Sequence, residues 1–393
     1  MRIAAISHVF PNAVDRTFGL FVFERLSGMR KSAEVTVIAP LPWLPLPARL
    51  GPHGRLRGVP LRATARNLDV VHPRFLSIPG LHTISAICFA LRLLLGRTTR
   101  RCLSEADVLD AHWTFPDGFA AWLVAKVLRK PYFITIRGDE AFYAGQGWLR
   151  GKLLTMALRG AAGIISVSED LRRKTLARTG LPPGRVTTIV NGVDTELFAP
   201  MDRAEARKAL GLPQDRILVL SVGFLSERKG YHKLVEAWPR LLRDFPSAEL
   251  VIVGGKGAEG KASYAGRLER AIEALGLGGS VRMVGGKGPR DLVAWYAAAN
   301  LYCLASSGEG CPNVVLEALA CGRPVLGTAV GGVPDLIDRP ELGLLFSPDF
   351  EDFHEKMKAA LSLTWSPEAI RKRMEGRSWD GCGAAHAERL AHP

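Results

Sequence analysis

EGCPNVVLEALACGRPVLGTAVGGVPDLI, residues 309–337, decides how the chain folds. The stretch follows the apolar run LYCLA (301–305), turns through Glu309, and enters an apolar helical segment near Pro312. It then passes Gly322 and Pro324 into a second short apolar run, PVLGT (324–328). Short β-type runs separated by a helical pattern mark parallel strands in a sheet covered by helices. Upstream, ILVLSV (217–222), ELVIV (249–253) and VRMVG (281–285) carry the same alternation. The first half repeats it with RIAAIS (2–7), EVTVIA (34–39), DVLDA (107–111), YFITI (132–136), GIISV (163–167) and VTTIV (186–190).

The fold class is therefore α/β, with two Rossmann-like, doubly wound domains expected to face a cleft. A chain of 393 residues exceeds one ordinary core and suits two. The Gly- and Pro-punctuated segment NGVDTELFAP (191–200) closes the first series, so the domains are read as 1–195 and 196–372, with 373–393 as a terminal helical segment. Between the second and third of the first-half strands, WLPLPARLGPHGRLRGVPLRA (43–63) reads as a long irregular loop. With 47% hydrophobic and 23% charged residues, the composition excludes a disordered or fibrous chain. Six scattered cysteines form no C-x-x-C pair and have no histidines at zinc-ligand spacing. A reduced, cytoplasmic compartment is expected, and MRIAAISHVF lacks the order of a signal peptide.

The net charge of +14 is concentrated in one half: residues 1–200 hold 27 Lys and Arg against 14 Asp and Glu, whereas residues 201–393 hold 25 against 24. Such a basic half suits an anionic membrane, an acidic substrate or nucleic acid. No nucleic-acid motif accompanies it, so no nucleic acid is expected. LHTISAICFALRLLLG (81–96) is too short to span a bilayer and is followed by Arg97, Arg100 and Arg101. It fits an amphipathic helix lying on anionic lipid, at the inner face of a membrane, and equally a core helix with a solvated basic end.

Two carboxylates carry the chemistry of the opening stretch. Glu309 lies in the loop and Glu317 eight residues on, within the helix, so each can serve a different part of one ligand. Pro312 suits the first helical turn, and free N–H groups of Asn313, Val314 and Val315 would form an anion site for a diphosphate. SVGFLSERKGYHKLVEA (221–237) places Arg228 and Lys229 between a strand and a helix, where cations can neutralise phosphate oxygens. Solvated surface residues would be the simpler reading of either motif alone; their presence together in one half favours a site.

SVGFLSERKG, EGCPNVVLEALACGRPV and AVGGVPDLI together resemble the family-four retaining glycosyltransferases, the group related to glycogen synthases, sucrose synthase-type enzymes and bacterial mannosyltransferases. TFGLFVFERL (17–26), DAHWTFPDGFAA (110–121), ITIRGDEAF (134–142), IISVSEDLR (164–172) and IVNGVD (189–194) match the order of that family's first-lobe elements, so the resemblance covers nearly the whole chain. It implies the GT-B architecture and a nucleotide-diphosphate sugar as co-substrate, with no further cofactor. Glu317 would bind the ribose hydroxyls, Glu309 would lie by the hydroxyls of the transferred sugar, and the amides of Gly310, Cys311, Pro312, Asn313 and Val314 would define the sugar and diphosphate site. Lys229 would contact the diphosphate. Many relatives carry an arginine where this chain has Phe224, a departure for which Arg228 is the candidate replacement. In the first lobe the resemblance sets His112 facing the donor sugar as a positioning group. Gly19 would bring backbone close to the diphosphate. Arg16, Arg137 and Asp139 are assigned to the acceptor, a sugar or a lipid-linked glycan.

No D-x-D metal loop is present, so no metal is expected, and Lys229, Arg228 and helix-end amides would meet the leaving-group charge. The resemblance implies retention of configuration by front-face attack. The C-terminal SWDGCGAAHAERLAHP resembles the family's last helix, which returns toward the first lobe. Three other readings weigh less. GKGAEG (255–260) spells a dinucleotide fingerprint, but the strand after it ends without the acidic residue a ribose requires. A non-catalytic membrane- or nucleic-acid-binding protein would not need two glutamates and a cationic turn in one lobe. A GT-B sugar-nucleotide epimerase would differ in its products.

Overall fold

The computed structural model describes residues 1–45, 54–138, 148–255 and 263–392. The chain forms two compact units, one comprising Met1–Gly192 with Trp379–Pro393 and the other Val193–Ser378. These divisions differ by a few residues from the boundaries at 195 and 372 read from composition. Both passages of the chain out of the second unit run side by side: Val193 bridges Ser378 in parallel, and the Val193 N–H donates to Arg377 O at 2.9 Å.

In the first unit the strands are β1 (Arg2–Ile6), β2 (Glu34–Ile38), β3 (Leu41–Trp43), β4 (Arg62–Ala65), β5 (Leu68–Val71), β6 (Arg74–Leu76), β7 (Val108–Ala111), β8 (Tyr132–Ile136), β9 (Gly163–Ser166) and β10 (Val186–Thr188). Eight of them form one sheet in the order β10-β9-β8-β7-β1-β2-β5-β4, parallel except for the β4–β5 hairpin, while β3 and β6 pair separately. Every residue of β7, β8 and β9 is buried. That is why these strands read as near-continuous apolar runs, interrupted in β7 by the buried Asp110, and not as alternation.

The sequence reading missed β3 to β6, which lie at the two ends of the segment expected to be an irregular loop or just beyond it. The β4–β5 hairpin turns on Arg66 and Asn67, both with positive φ (44° and 64°). A two-residue turn of this kind matches strand twist, but Arg-Asn is not its usual Asn-Gly signature. LHTISAICFALRLLLG contains the helix His82–Leu95. Its Ser85, Ala86, Phe89, Ala90 and Leu93 are buried, while Leu81, just before it, and Ile84, Ile87, Leu91 and Leu95 are exposed. One face of the helix packs in the core, and its other face, also apolar, is exposed.

The last helix, Trp379–Ala391, packs on Leu20–Met29. Contact is backbone to backbone: a Cβ on Gly28 would lie 2.2 Å from Trp379 O, and one on Gly383 would lie 2.3 Å from Met29 N. Ala387 and Leu390 join Val22, Leu26 and Met29 in the core of this unit.

The second unit contains β11 (Ile217–Val222), β12 (Ala248–Val253), β13 (Val281–Met283), β14 (Leu301–Leu304), β15 (Val325–Thr328) and β16 (Gly343–Phe346), all parallel in the order β13-β12-β11-β14-β15-β16. Only β16, a four-residue strand, had no counterpart in the sequence reading. The helix Tyr231–Asp244 presses Leu234, Val235 and Trp238 into the core. Strand order reverses between β1 and β7 in one sheet and between β11 and β14 in the other, the places where open α/β sheets leave a crevice for ligands at the strands' carboxyl ends.

Candidate functional site

In the second unit, the carboxyl ends of β11 and β14 bring the two sequence motifs together. After β11 the chain makes a single helical turn, Glu227–Lys229, and Gly230 (φ 68°) starts the helix Tyr231–Asp244. A Cβ on Gly230 would lie 2.0 Å from the Ala305 carbonyl oxygen, so the turn is pressed against the end of β14. This proximity requires glycine and fixes the two cations beside the loop that carries Glu309. Lys229 Nζ donates to Glu309 Oε1 at 2.6 Å, Ser306 Oγ donates to the same oxygen at 2.7 Å, and Arg228 Nη1 lies 3.1 Å from Oε2. Arg228 Nη1 also donates to Gly308 O at 2.6 Å. Burial alone would raise the Glu309 pKa, but Lys229 and then Arg228 bring it below the ordinary carboxylate value, so the group is ionised. One carboxylate between two cations leaves a net positive cluster able to accept a phosphate charge.

The helix Asn313–Ala320 begins one residue later than expected, with Pro312 as its N-cap and no side chain capping it. The expected anion site is corrected at Val315, whose N–H donates to Pro312 O at 3.0 Å and is thereby occupied. Gly310, Cys311, Asn313 and Val314 are partly exposed and Pro312 is buried. Glu317 sits on this helix and accepts a hydrogen bond from Tyr296 Oη at 2.8 Å. Enclosure of its carboxyl raises its pKa to about 7, against the lowering effect of that hydrogen bond. Two glutamates eight residues apart thus hold opposite tendencies, one fixed as an anion and one poised between its forms. Phe224 projects into solvent at 76% exposure, and the Lys229 side chain lies against the adjacent Gly223, 3.2 Å from where its Cβ would be.

In the first unit, the residues expected to face substrates form a sealed chain. His112 Nε2 lies 2.8 Å and His386 Nε2 3.0 Å from Asp110 Oδ2, and none of the three side chains is exposed. Both approaches are short but oblique, so the pairing is chiefly electrostatic. On the far sides, Arg137 Nη2 is 2.7 Å from His112 Nδ1 and Arg25 Nη1 is 3.4 Å from His386 Nδ1. Arginine can only donate, so both Nδ1 atoms are acceptors and both Nε2 atoms carry the protons, directed at Asp110. Burial lowers the pKa of His112 to about 4 and that of His386 below its usual value, so both rings are neutral. Although burial opposes it, the two imidazoles hold Asp110 far below the carboxylate range.

This arrangement corrects two sequence expectations. His112 does not present its ring to a donor sugar, because both of its nitrogens are engaged inside the unit. Arg137 is buried against His112 and lies over the Phe21 ring at 5.2 Å, which removes it from acceptor contact. Arg16 is exposed, and Asp139 lies outside the described residues, as does most of GKGAEG. Gly19 (φ 75°) opens the helix Leu20–Met29, and a Cβ there would lie 2.5 Å from Val9 O. Asp110, His112 and His386 each offer one ligand atom within 4.8 Å of the others. The guanidinium groups on the far sides of both rings oppose an added cation. The sequence reading missed Arg25, Asp110, His386, Ser306 and Tyr296. It also missed Asp117, whose carboxylate accepts from His8 N and lies 2.8 Å from His8 Nδ1.

Comparisons with known proteins identify the family and the fold. Residues 202–377 match the family model for glycosyl transferases group 1, and residues 21–197 match that for glycosyltransferase family 4. A Bacillus subtilis protein assigned to teichuronic acid biosynthesis as the glycosyltransferase TuaC is 29% identical over 88% of this chain and 86% of its own length. Among solved structures, sucrose-phosphate synthase from Thermosynechococcus elongatus superposes with a TM-score of 0.74 at 21% identity, covering 99% of this chain and 94% of that one. HepE from Anabaena, in complex with UDP and glucose, gives 0.71 at 19% identity over the full length of both. At these identities the structures show a shared fold, the two Rossmann-like domains of GT-B glycosyltransferases.

Proposed function

We propose, for a chain that belongs to the glycosyltransferases of group 1 and family 4, that it moves a hexose from a nucleotide-diphosphate sugar to a hydroxyl acceptor with retention of configuration and without a metal ion. The observation that carries this reading is Glu309 held between Lys229 and Arg228, with Glu317 in the second turn of the helix that follows the same loop. Glu317 receives the ribose hydroxyls, Glu309 lies by the hydroxyls of the transferred sugar, and the partly exposed segment 310–314 adjoins the diphosphate. As the anomeric carbon–oxygen bond to phosphate breaks, negative charge grows on the diphosphate, and Lys229 and Arg228 meet it. The acceptor oxygen forms the new bond on the same face and passes its proton to the departing phosphate oxygen, so no side chain need act as base. The test is binding and slow hydrolysis of UDP-, GDP- and ADP-sugars by the wild type and by Glu317→Ala. Selective binding lost in the variant supports the reading, while binding of none of them overturns it.

The acceptor is a glycan, free or lipid-linked, in polysaccharide synthesis, and the enzyme works at the cytoplasmic face of a membrane. Support for the membrane comes from the outward face of His82–Leu95, with Ile84, Ile87, Leu91 and Leu95 exposed and Arg97, Arg100 and Arg101 exposed beyond its end. No helix among the described residues is long and apolar enough to cross a bilayer. Co-sedimentation with vesicles should be stronger with anionic than with neutral lipid and fall in Leu91→Ser; equal binding to both would count against this location.

A further inference from the structure

Within the first unit, a cavity of about 450 Å³ opens beside the carboxyl end of β1. Its size is that of a small-molecule site. The inner wall is apolar: Leu41, Phe75, Ala86 and Phe115 are all at least nine-tenths buried. The rim carries Phe18, 43% exposed, and His82. Polar residues do line the cavity, but much of their capacity is used locally. Asn12 Oδ1 accepts from the N–H groups of Val14 and Asp15, and Asp15 Oδ1 accepts from Thr17 N, Thr17 Oγ1 and Phe18 N. Ser85 Oγ lies between Leu81 O, Ile78 O and the Ile78 N–H.

A sugar ring presents hydroxyls on every side and gains little from such walls, because each hydroxyl left without a partner costs free energy on burial. A hydrocarbon segment asks for no hydrogen bonds and gains from every methylene removed from water. We propose that this cavity is a binding site for the hydrocarbon portion of the acceptor, so that the acceptor is an amphiphile whose hydroxyl-bearing end lies outside the cavity. The proposal rests on the glycosyltransferase reading above and supplies what that reading leaves open, the chemical class of the acceptor. The helix that walls the cavity with Ser85 and Ala86 is the one whose opposite face is exposed and apolar. An amphiphile drawn from a bilayer would therefore meet the cavity next to the surface that meets the lipid.

The probe is a series of n-alkyl β-glucosides from hexyl to dodecyl, titrated calorimetrically below their micelle concentrations, with glucose as the control. The expected result is one saturable site, no heat from glucose, and affinity rising about fourfold per methylene until the cavity is full, then levelling. Ala86→Trp fills the cavity from its wall and should abolish binding. Phe18→Asp, at an exposed position where folding is not at stake, should weaken binding at least tenfold by placing a charge at the rim. Val127→Ser, an exposed apolar residue elsewhere on the unit, should change nothing. Overturning results are absence of saturable binding, affinity that rises with chain length without levelling, or equal loss in Val127→Ser and Phe18→Asp. Nucleotide-sugar binding is measured on the same preparations. If donors bind and alkyl glucosides do not, the cavity proposal fails while the enzyme class stands; if alkyl glucosides bind and donors do not, the cavity stands without that function.

Discussion

Two buried carboxylates of this molecule, Asp110 in the first unit and Glu309 in the second, have similar company and different access. Each lies between two nitrogen-bearing side chains, imidazoles in one case and cations in the other. Asp110 is sealed, and the arginines behind its imidazoles are themselves buried. Glu309 is at the mouth of a loop, and Arg228 beside it keeps half of its side-chain surface in solvent. The first arrangement ties a C-terminal helix to the end of a sheet and has no face for a ligand. The second can exchange part of its internal pairing for a phosphate. A buried charged cluster becomes a site when one of its members still reaches water.

The largest effect expected from this contrast is on stability. Asp110→Asn removes the fully buried charge that both imidazole Nε2 atoms face and should lower unfolding free energy by about 3–5 kcal/mol, with nucleotide-sugar affinity of the folded protein unchanged. Urea unfolding and calorimetry on one sample would measure both, and a loss of donor affinity at full stability would break the comparison. Lys229→Ala should behave in the opposite way, lowering kcat by about 10²–10³-fold with a smaller change in stability, as expected for a donor of transition-state stabilisation. Unchanged kcat at saturating donor would remove Lys229 from the chemistry.

A third prediction concerns pH, where the two regions have opposite signs. Burial puts the folded pKa of His112 near 4, below the value of about 6.5 it takes when unfolded. Its contribution is therefore complete above pH 6.5 and is lost as pH falls toward 4, amounting to about 3 kcal/mol by then. Glu317 is raised to about 7 in the folded chain, so its contribution is present in acid and lost as pH rises through 7. If its ionised form receives the ribose hydroxyls, donor affinity should fall by up to about tenfold per pH unit below 7, with proton release detectable in calorimetry across buffers. Tyr296→Phe should shift that profile upward in pH, because a hydrogen bond favouring the charged form is removed. An unmoved profile would show that Glu317 does not govern donor binding.

The sequence revealed most where the interacting groups are close along the chain or the pattern is long. β11 and β12 are six-residue, mostly apolar strands, and Glu309 and Glu317 share one loop and helix, so both were readable. The Lys229–Glu309 pair joins two such motifs across 80 residues and could be expected only from topology. The Arg25–His386 contact spans 361 residues, and His386 sits in a small-residue helix whose spacing carries no sign of a partner. For His112, position just past a strand end gave no information about which way the ring turns, because that depends on Asp110, two residues earlier within β7, and on the helix Trp379–Ala391. The strands β3 to β6 border a segment rich in Pro, Gly and Arg, and β3 itself carries Pro42, so composition there reads as loop.

The discontinuity of the first unit also bears on how the protein is made. Its core and its Asp110 cluster both require residues of Trp379–Ala391, which are made only after the whole of the second unit. The second unit is continuous and is complete before that helix is synthesised. The usual order of domain maturation is N-terminal first; here the first-begun unit waits, unfinished and strongly basic, until the second has been made.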